Sequence, residues 1–292
     1  MALLTPPVAR LADFLELAKA RIVGLVLVTV AAGFYVANPT DIRWVLLLHT
    51  LIGTAMVAAG TNALNQIFER DVDALMHRTA NRPLPTGRIT VRAAGVLAWT
   101  GGALGVGYLA LLVTPVVAAL AALTLLTYVF LYTPLKRTTS LATLVGAVPG
   151  ALPIVGGWVA AGGPLGGEAL VLFAVLFLWQ IPHFLALAWM YREDYSRAGL
   201  HMLSVDDQDG TVTFRQATLY TLVLVPFSLA PAAFGLAGWL YFWGALGLSG
   251  WMLRAAWQAA RCPSRHAAGR LFKASVLYLP ALLALLVSNA VR

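Results

Sequence analysis

The chain has 292 residues, of which 60% are hydrophobic and only 11% charged, and its mean hydropathy is +0.80. Those values exclude a soluble globular domain and define an all-α, polytopic integral membrane protein. The net charge of +8 is spread over short segments beside apolar runs, where anionic membrane lipid accounts for it and no nucleic acid is needed.

Apolar runs long enough to cross a bilayer, about 20 residues each, are predicted at 17–37, 44–67, 91–112, 115–133, 140–161, 168–190, 215–236, 238–258 and 271–290. They form about nine helices in one bundle, a single domain over 1–292, since no hydrophilic stretch could fold separately. The runs are continuous and not alternating, which disfavours a membrane barrel. The N-terminal residues have the pattern of neither a cleaved signal nor a transit segment, so the first helix is expected to be retained. With nine spans, 18 of the 20 Lys and Arg residues share one side, and only Arg43 and Arg292 fall opposite. Basic loops face the cytoplasm, so the N-terminus and the loops at 68–90 and 191–214 are placed there. The single Cys262 excludes an intramolecular disulfide and reads as a reduced thiol.

The second predicted span ends in Asn65, Glu69 and Asp73, four residues apart, with Arg78, Arg82, Arg88 and Arg92 following. On a helix this spacing puts the three oxygen-bearing side chains on one face. Such a face suits Mg²⁺, which takes oxygen ligands beside substrate phosphates, while arginines supply the counter-charge for a diphosphate. Interfacial solvation would explain the carboxylates alone, but Asn62 and Asn65 fall where hydrocarbon is expected, and polar groups there are costly.

The fourth span ends in Tyr132-Thr133-Pro134-Leu135-Lys136-Arg137. Pro134 stops the helix, and the two cations either complement its C-terminal dipole or contact phosphate. The sixth span contains His183, an imidazole that must be used or hydrogen-bonded, and closes in Tyr191-Arg192-Glu193-Asp194-Tyr195. No histidine pair has zinc spacing. Asp206-Asp207-Gln208-Asp209-Gly210 reads as a cap on the seventh helix. The loops at 68–90 and 191–214 hold eight of the twelve acidic residues and lie four spans apart, hence on one membrane face. Two acidic clusters facing each other there could hold two cations around one diphosphate.

Taken together, these segments resemble the UbiA superfamily of intramembrane prenyltransferases. Asn65, Glu69 and Asp73 match its Asn-x-x-x-Asp-x-x-x-Asp signature with Glu69 replacing one Asp, Arg78, Arg82, Pro83 and Gly87 match the following segment, and Tyr132, Lys136 and Arg137 match its Tyr-Pro-x-x-Lys-Arg turn. At the second Asp-x-x-x-Asp signature Tyr191 and Tyr195 stand on the Asp positions, and with His183-Phe184-Leu185-Ala186-Leu187, Asp194-Tyr195 and Ala198-Gly199 the chain resembles the protohaem farnesyltransferase (haem O synthase) branch. The resemblance implies Mg²⁺-dependent transfer of farnesyl from farnesyl diphosphate to a vinyl group of protohaem (haem B), in a prokaryotic plasma membrane. The product would pass to haem A synthase or cytochrome oxidase assembly. It further implies that Asn65, Glu69, Asp73, Glu193 and Asp194 hold one or two Mg²⁺, that Lys136, Arg82 and Arg192 hold diphosphate, and that Arg78, Tyr132, Arg137, Tyr191 and Tyr195 line the substrate site with His183 touching haem.

Three rivals remain. A sister enzyme would prenylate an aromatic quinone precursor. A cation-coupled transporter would place its charges near the bilayer midplane between broken helices. A structural membrane subunit gives no reason for aligned Asn, Glu and Asp.

Overall fold

The computed structural model describes residues 10–291, so the expectation for Arg292 lies outside the described residues. Nine long helices carry the bundle: α1 (Ala20–Ala37), α2 (Trp44–Phe68), α3 (Val91–Leu112), α4 (Pro115–Leu135), α5 (Ala142–Ala160), α6 (Gly167–Met190), α7 (Thr211–Ala233), α8 (Trp239–Arg261) and α9 (Arg265–Ser288). All but α8 are long and apolar enough to cross a membrane; in α8, Trp239, Trp243, Trp251, Arg254 and Trp257 lower the hydropathy. Large apolar side chains such as Trp44, Leu48, Trp99, Leu111, Leu170 and Leu277 point outward, as expected of a surface solvated by lipid.

α1 packs on α5, α2 on α3, and α6 on α5, α7 and α9. Small residues permit the closest approaches. A Cβ on Gly33 of α1 would collide with the Ile154 carbonyl of α5, and one on Gly157 of α5 with the Val30 carbonyl of α1. The largest core cluster surrounds Trp158, Tyr241 and Tyr278. Tyr278 Oη lies 2.6 Å from Ser228 Oγ and 3.0 Å from Ser249 Oγ, and Tyr241 Oη donates to the Ser228 carbonyl at 2.7 Å, satisfying the buried hydroxyls of α7, α8 and α9.

Three local features depart from uniform helices and shape the basic end of the bundle. The predicted first span does not run unbroken from residue 17: a short helix, Leu11–Leu17, stops, and α1 starts at Ala20. Lys19 between them has φ 53° and ψ 52°, the one non-glycine residue with positive φ among the described residues. That conformation costs an L-residue about 1–2 kcal/mol. Secondly, α4 passes through a π-helical turn at Thr127–Tyr132, where Thr133 N donates to Tyr128 O. Pro134 follows, lacking an N–H and with a ring that would clash in a regular turn; the wide turn accommodates it and the helix ends at Leu135. Thirdly, α2 ends at Phe68 and a separate short helix, Arg70–Leu75, begins after Glu69. The bonds Glu69 N to Asn65 O (3.0 Å) and Asp73 N to Glu69 O (2.7 Å) nevertheless keep the four-residue rhythm.

Candidate active site

Asn65, Glu69 and Asp73 form one buried polar face, with relative exposures of 1%, 7% and 1%. Asn65 Nδ2 donates to Glu69 Oε2 at 2.9 Å and to Thr133 Oγ1 at 3.1 Å. Glu69 Oε1 accepts from Lys136 Nζ at 2.8 Å, and Asp73 Oδ2 from Arg82 at 2.7 Å. Lys19 Nζ completes the cluster, donating to Asn65 Oδ1 at 3.0 Å. Thus the ends of α2 and α4, the start of α1 and the loop after residue 75 all converge on three oxygen-bearing side chains. The Lys136 ammonium also lies 4.4 Å from the centre of the Tyr132 ring, a cation–π contact.

The electrostatics follow from this enclosure. Burial alone would raise the Glu69 carboxyl, but the charge and hydrogen bond of Lys136, then Lys19 and Asn65, outweigh it and hold it below its ordinary value. Burial opposes the charge of Lys136, and Tyr132 and Glu69 overcome it, so this amine stays protonated well above its usual range. Lys19 is driven the other way, to about 7, by burial and then by the neighbouring charges of Arg82 and Lys136, against Glu69 and Asp73.

The second acidic cluster has its own set of partners. Asp194 accepts from the backbone N–H groups of His77 (3.3 Å) and Arg78 (3.4 Å) and from Arg197 (2.9 Å). Against a desolvation that would raise it, these bonds hold its carboxyl below the ordinary range. Asp194 therefore ties the two loops together, and Val72, Met76, Tyr195, Leu200 and Met202 form an apolar cluster between them. Glu193 is exposed and lines an open cleft of about 530 Å³ with Arg192, Ser196, Arg197, Ser204 and Gln208. The short helix Arg192–Arg197, where a second metal-binding patch was expected, turns Asp194 to backbone amides and Glu193 to solvent.

Other expected residues also have defined places. Arg192 stacks over Trp189 at 4.3 Å and reaches the Gln208 carbonyl at 3.4 Å. Arg78 lies over Tyr191 (4.8 Å) and Tyr195 (5.9 Å). Arg137 binds the Phe68 carbonyl at 3.2 Å and Asp71 at 2.7 Å, which fastens α4 to the end of α2. His183 bonds Ser275 Oγ at 2.8 Å and stacks between Trp179 and Phe272, so its polar edge is satisfied by α9. Asp207 and Asp209 accept from Thr213 N and Thr211 N and cap α7 as the sequence suggested. Sequence reasoning missed Lys19 and Thr133 as members of the cluster. The hydroxyl of Thr133 inside the Tyr132–Arg137 turn was the available signal; that of Lys19 is long-range and had none.

Among the described residues no group of three or more His, Cys, Asp or Glu side chains is placed to hold a metal. The cluster instead offers two carboxylates and a carboxamide, and Asp73 Oδ1 is buried without a hydrogen-bond partner. That donor set fits an ion that takes one or two carboxylates and completes its shell with water and substrate phosphate, and an orphaned buried carboxylate oxygen fits a cation.

A model of the UbiA prenyltransferase family matches residues 26–282. The chain belongs to this family. Among relatives, it is 45% identical over 284 residues to a protein named protoheme IX farnesyltransferase from Solibacter usitatus, covering 94% of this chain and 97% of the relative. It is 46% identical over 275 residues to a protein of the same name from Salinibacter ruber, again covering 94% and 97%. The UbiA fold is seen in solved structures as well. A digeranylgeranylglyceryl phosphate synthase superposes with a TM-score of 0.81 at 18% identity, covering 96% of this chain and 98% of that one. A UbiA homologue from Archaeoglobus fulgidus bound to GPP and Mg²⁺ superposes with a TM-score of 0.64 at 17% identity, covering 94% and 99%. This UbiA-family chain is therefore a prenyltransferase.

Proposed function

We propose that this prenyltransferase moves a farnesyl group from farnesyl diphosphate to a vinyl carbon of protohaem IX, giving the hydroxyethylfarnesyl side chain of haem O. The observation that carries this reading is the Asn65–Glu69–Lys136 and Asp73–Arg82 cluster at one end of an otherwise apolar bundle, in a chain whose near-full-length relatives bear the farnesyltransferase name. Asn65, Glu69 and Asp73 would hold Mg²⁺, which when bound neutralises diphosphate charge and favours its departure. Lys136 and Arg82, now paired with those carboxylates, would turn to the phosphate oxygens. The allylic carbon–oxygen bond breaks, the electron pair leaves with diphosphate, and the vinyl carbon attacks the farnesyl cation. Water captures the resulting cation beside the porphyrin and loses a proton. The apolar bundle keeps water from the first cation. Bacterial relatives and the basic loops support a prokaryotic plasma membrane with this site at the cytoplasmic mouth.

The test is incubation of purified protein in detergent with farnesyl diphosphate, Mg²⁺ and either protohaem or a hydroxybenzoate, followed by product identification by mass. Haem O from protohaem alone, abolished by chelation, is expected. A prenylated hydroxybenzoate without haem O, or turnover indifferent to divalent ions, would overturn the reading.

A further inference from the structure

The break between the Leu11–Leu17 helix and α1 is held by two polar side chains one turn apart on the same face of α2. Gln66 Nε2 donates to the Leu17 carbonyl at 2.6 Å, and Asn62 Nδ2 donates to the Ala18 carbonyl at 3.0 Å. These carbonyls lie where a terminating helix leaves its acceptors unpaired. Asn62 and Gln66 are 8% and 1% exposed, and the clamp gives each buried amide nitrogen a carbonyl acceptor, while Gln66 Oε1 is left without a partner. Capping alone, however, requires neither a left-handed residue nor a lysine at the break. A glycine would adopt φ 53° freely, whereas here the strained position bears a long cationic side chain.

That side chain points into the cluster. Lys19 Nζ takes the Oδ1 atom of Asn65, whose Nδ2 is already committed to Glu69 and Thr133. Asn65 has one oxygen, and on the function proposed above that oxygen is needed by the metal. An ammonium carries three donors and Asn65 uses one, so Lys19 can change partner without leaving the mouth. Backbone strain sustained by surrounding contacts is typical of positions where the displaced side chain acts.

We propose that Lys19 is a further diphosphate-binding residue, parked on Asn65 Oδ1 in the substrate-free protein and transferred to a phosphate oxygen when the metal diphosphate binds, with the Asn62–Gln66 clamp fixing its reach. This rests on the diphosphate chemistry proposed for the same site.

The test compares wild type, Lys19→Gly and Lys19→Met for binding of Mg²⁺ plus inorganic pyrophosphate by calorimetry in detergent, and for steady-state kinetics with each substrate varied. Lys19→Gly removes the ammonium and relaxes the backbone, so a purely structural role predicts unchanged or improved behaviour. The expected result is a folded Lys19→Gly protein whose kcat/KM for farnesyl diphosphate falls about 100-fold, equivalent to about 2.7 kcal/mol. Pyrophosphate affinity should fall with it while KM for protohaem stays constant, and Lys19→Met should behave alike. Wild-type pyrophosphate binding in folded Lys19→Gly overturns the assignment of Lys19. A wild-type protein that binds no magnesium pyrophosphate instead overturns the underlying diphosphate reading, and this inference with it.

Discussion

Lys136 Nζ lies 2.8 Å from Glu69 Oε1, joining the end of α4 to the end of α2 across 67 residues of sequence, and the two side chains are only 14% and 9% exposed. A charged pair so enclosed is held by its partner more than by solvent, and removing one member strands the other. Glu69→Gln and Lys136→Met should each lower stability by about 3 kcal/mol, read as the thermal unfolding midpoint in detergent. The double variant should cost less than the sum of the singles because no lone charge remains, yet all three should lose haem O formation. Additive losses of stability would show that the pair is not coupled.

Asp73 presents one oxygen to Arg82 and leaves the other buried without a partner. Asp73→Asn keeps the shape and removes the charge, so the protein should fold and remain in detergent solution while its product rate drops by about 10²–10³, the range for loss of one preorganised electrostatic contact. Product quantification by mass at saturating Mg²⁺ checks this, and wild-type levels would remove Asp73 from the site.

The α1–α5 contact tolerates no side chain at Gly33 or Gly157. Gly157→Ala should destabilise the bundle by about 1–3 kcal/mol through overpacking, whereas Gly156→Ala, which meets open space on the neighbouring face, should leave the unfolding midpoint nearly unchanged. Equal midpoints for the two would contradict the close approach.

Asp194 docks the 191–197 segment on the backbone of His77 and Arg78. Its folded carboxyl ionises below its ordinary value of 3.8. Its contribution is therefore complete above that value and is lost as pH falls through the lower folded value. The protection factors of the His77 and Arg78 amides, which correct for the intrinsic rate at each pH, should be high at pH 5 and fall as pH drops well below 3.8. Asp194→Ala should lack that protection throughout, and full protection in the variant would mean that the loops are held by other contacts.

Much of this arrangement was legible because the two strongest signals are periodic. Continuous apolar runs located the nine long helices, and the four-residue spacing of Asn65, Glu69 and Asp73 survived a helix break because the backbone bonds at Glu69 and Asp73 preserve the rhythm. Where a rhythm stops, inference along the chain stops with it. Glu193 and Asp194 follow the end of α6, and the direction of the next short helix, set by packing of Tyr195 against Val72 and Met76, decided which way each points. Asn62 was correctly marked as costly in the membrane, but its partner is a carbonyl 44 residues earlier, a pairing that no local pattern encodes. Lys19 and Arg192 illustrate the same limit: the resemblance pointed Arg192 at the diphosphate and passed over Lys19, and only tertiary contacts place Lys19 in the cluster and stack Arg192 on Trp189.

The π turn at Thr127–Tyr132 inserts a surplus residue into α4 just ahead of Thr133 and Lys136. The wide turn absorbs that residue locally, so excising it would restore a regular turn and leave Lys136 opposite Glu69. Each residue of a regular helix advances about 100° around the axis, so a deletion elsewhere in α4 would swing Lys136 away and leave the Glu69 charge with no ammonium opposite. Reactivity at this mouth thus depends on residue tally as well as on side-chain identity, and the π turn is the one place in α4 where a sibling protein can be a residue shorter and keep its cation in the same frame.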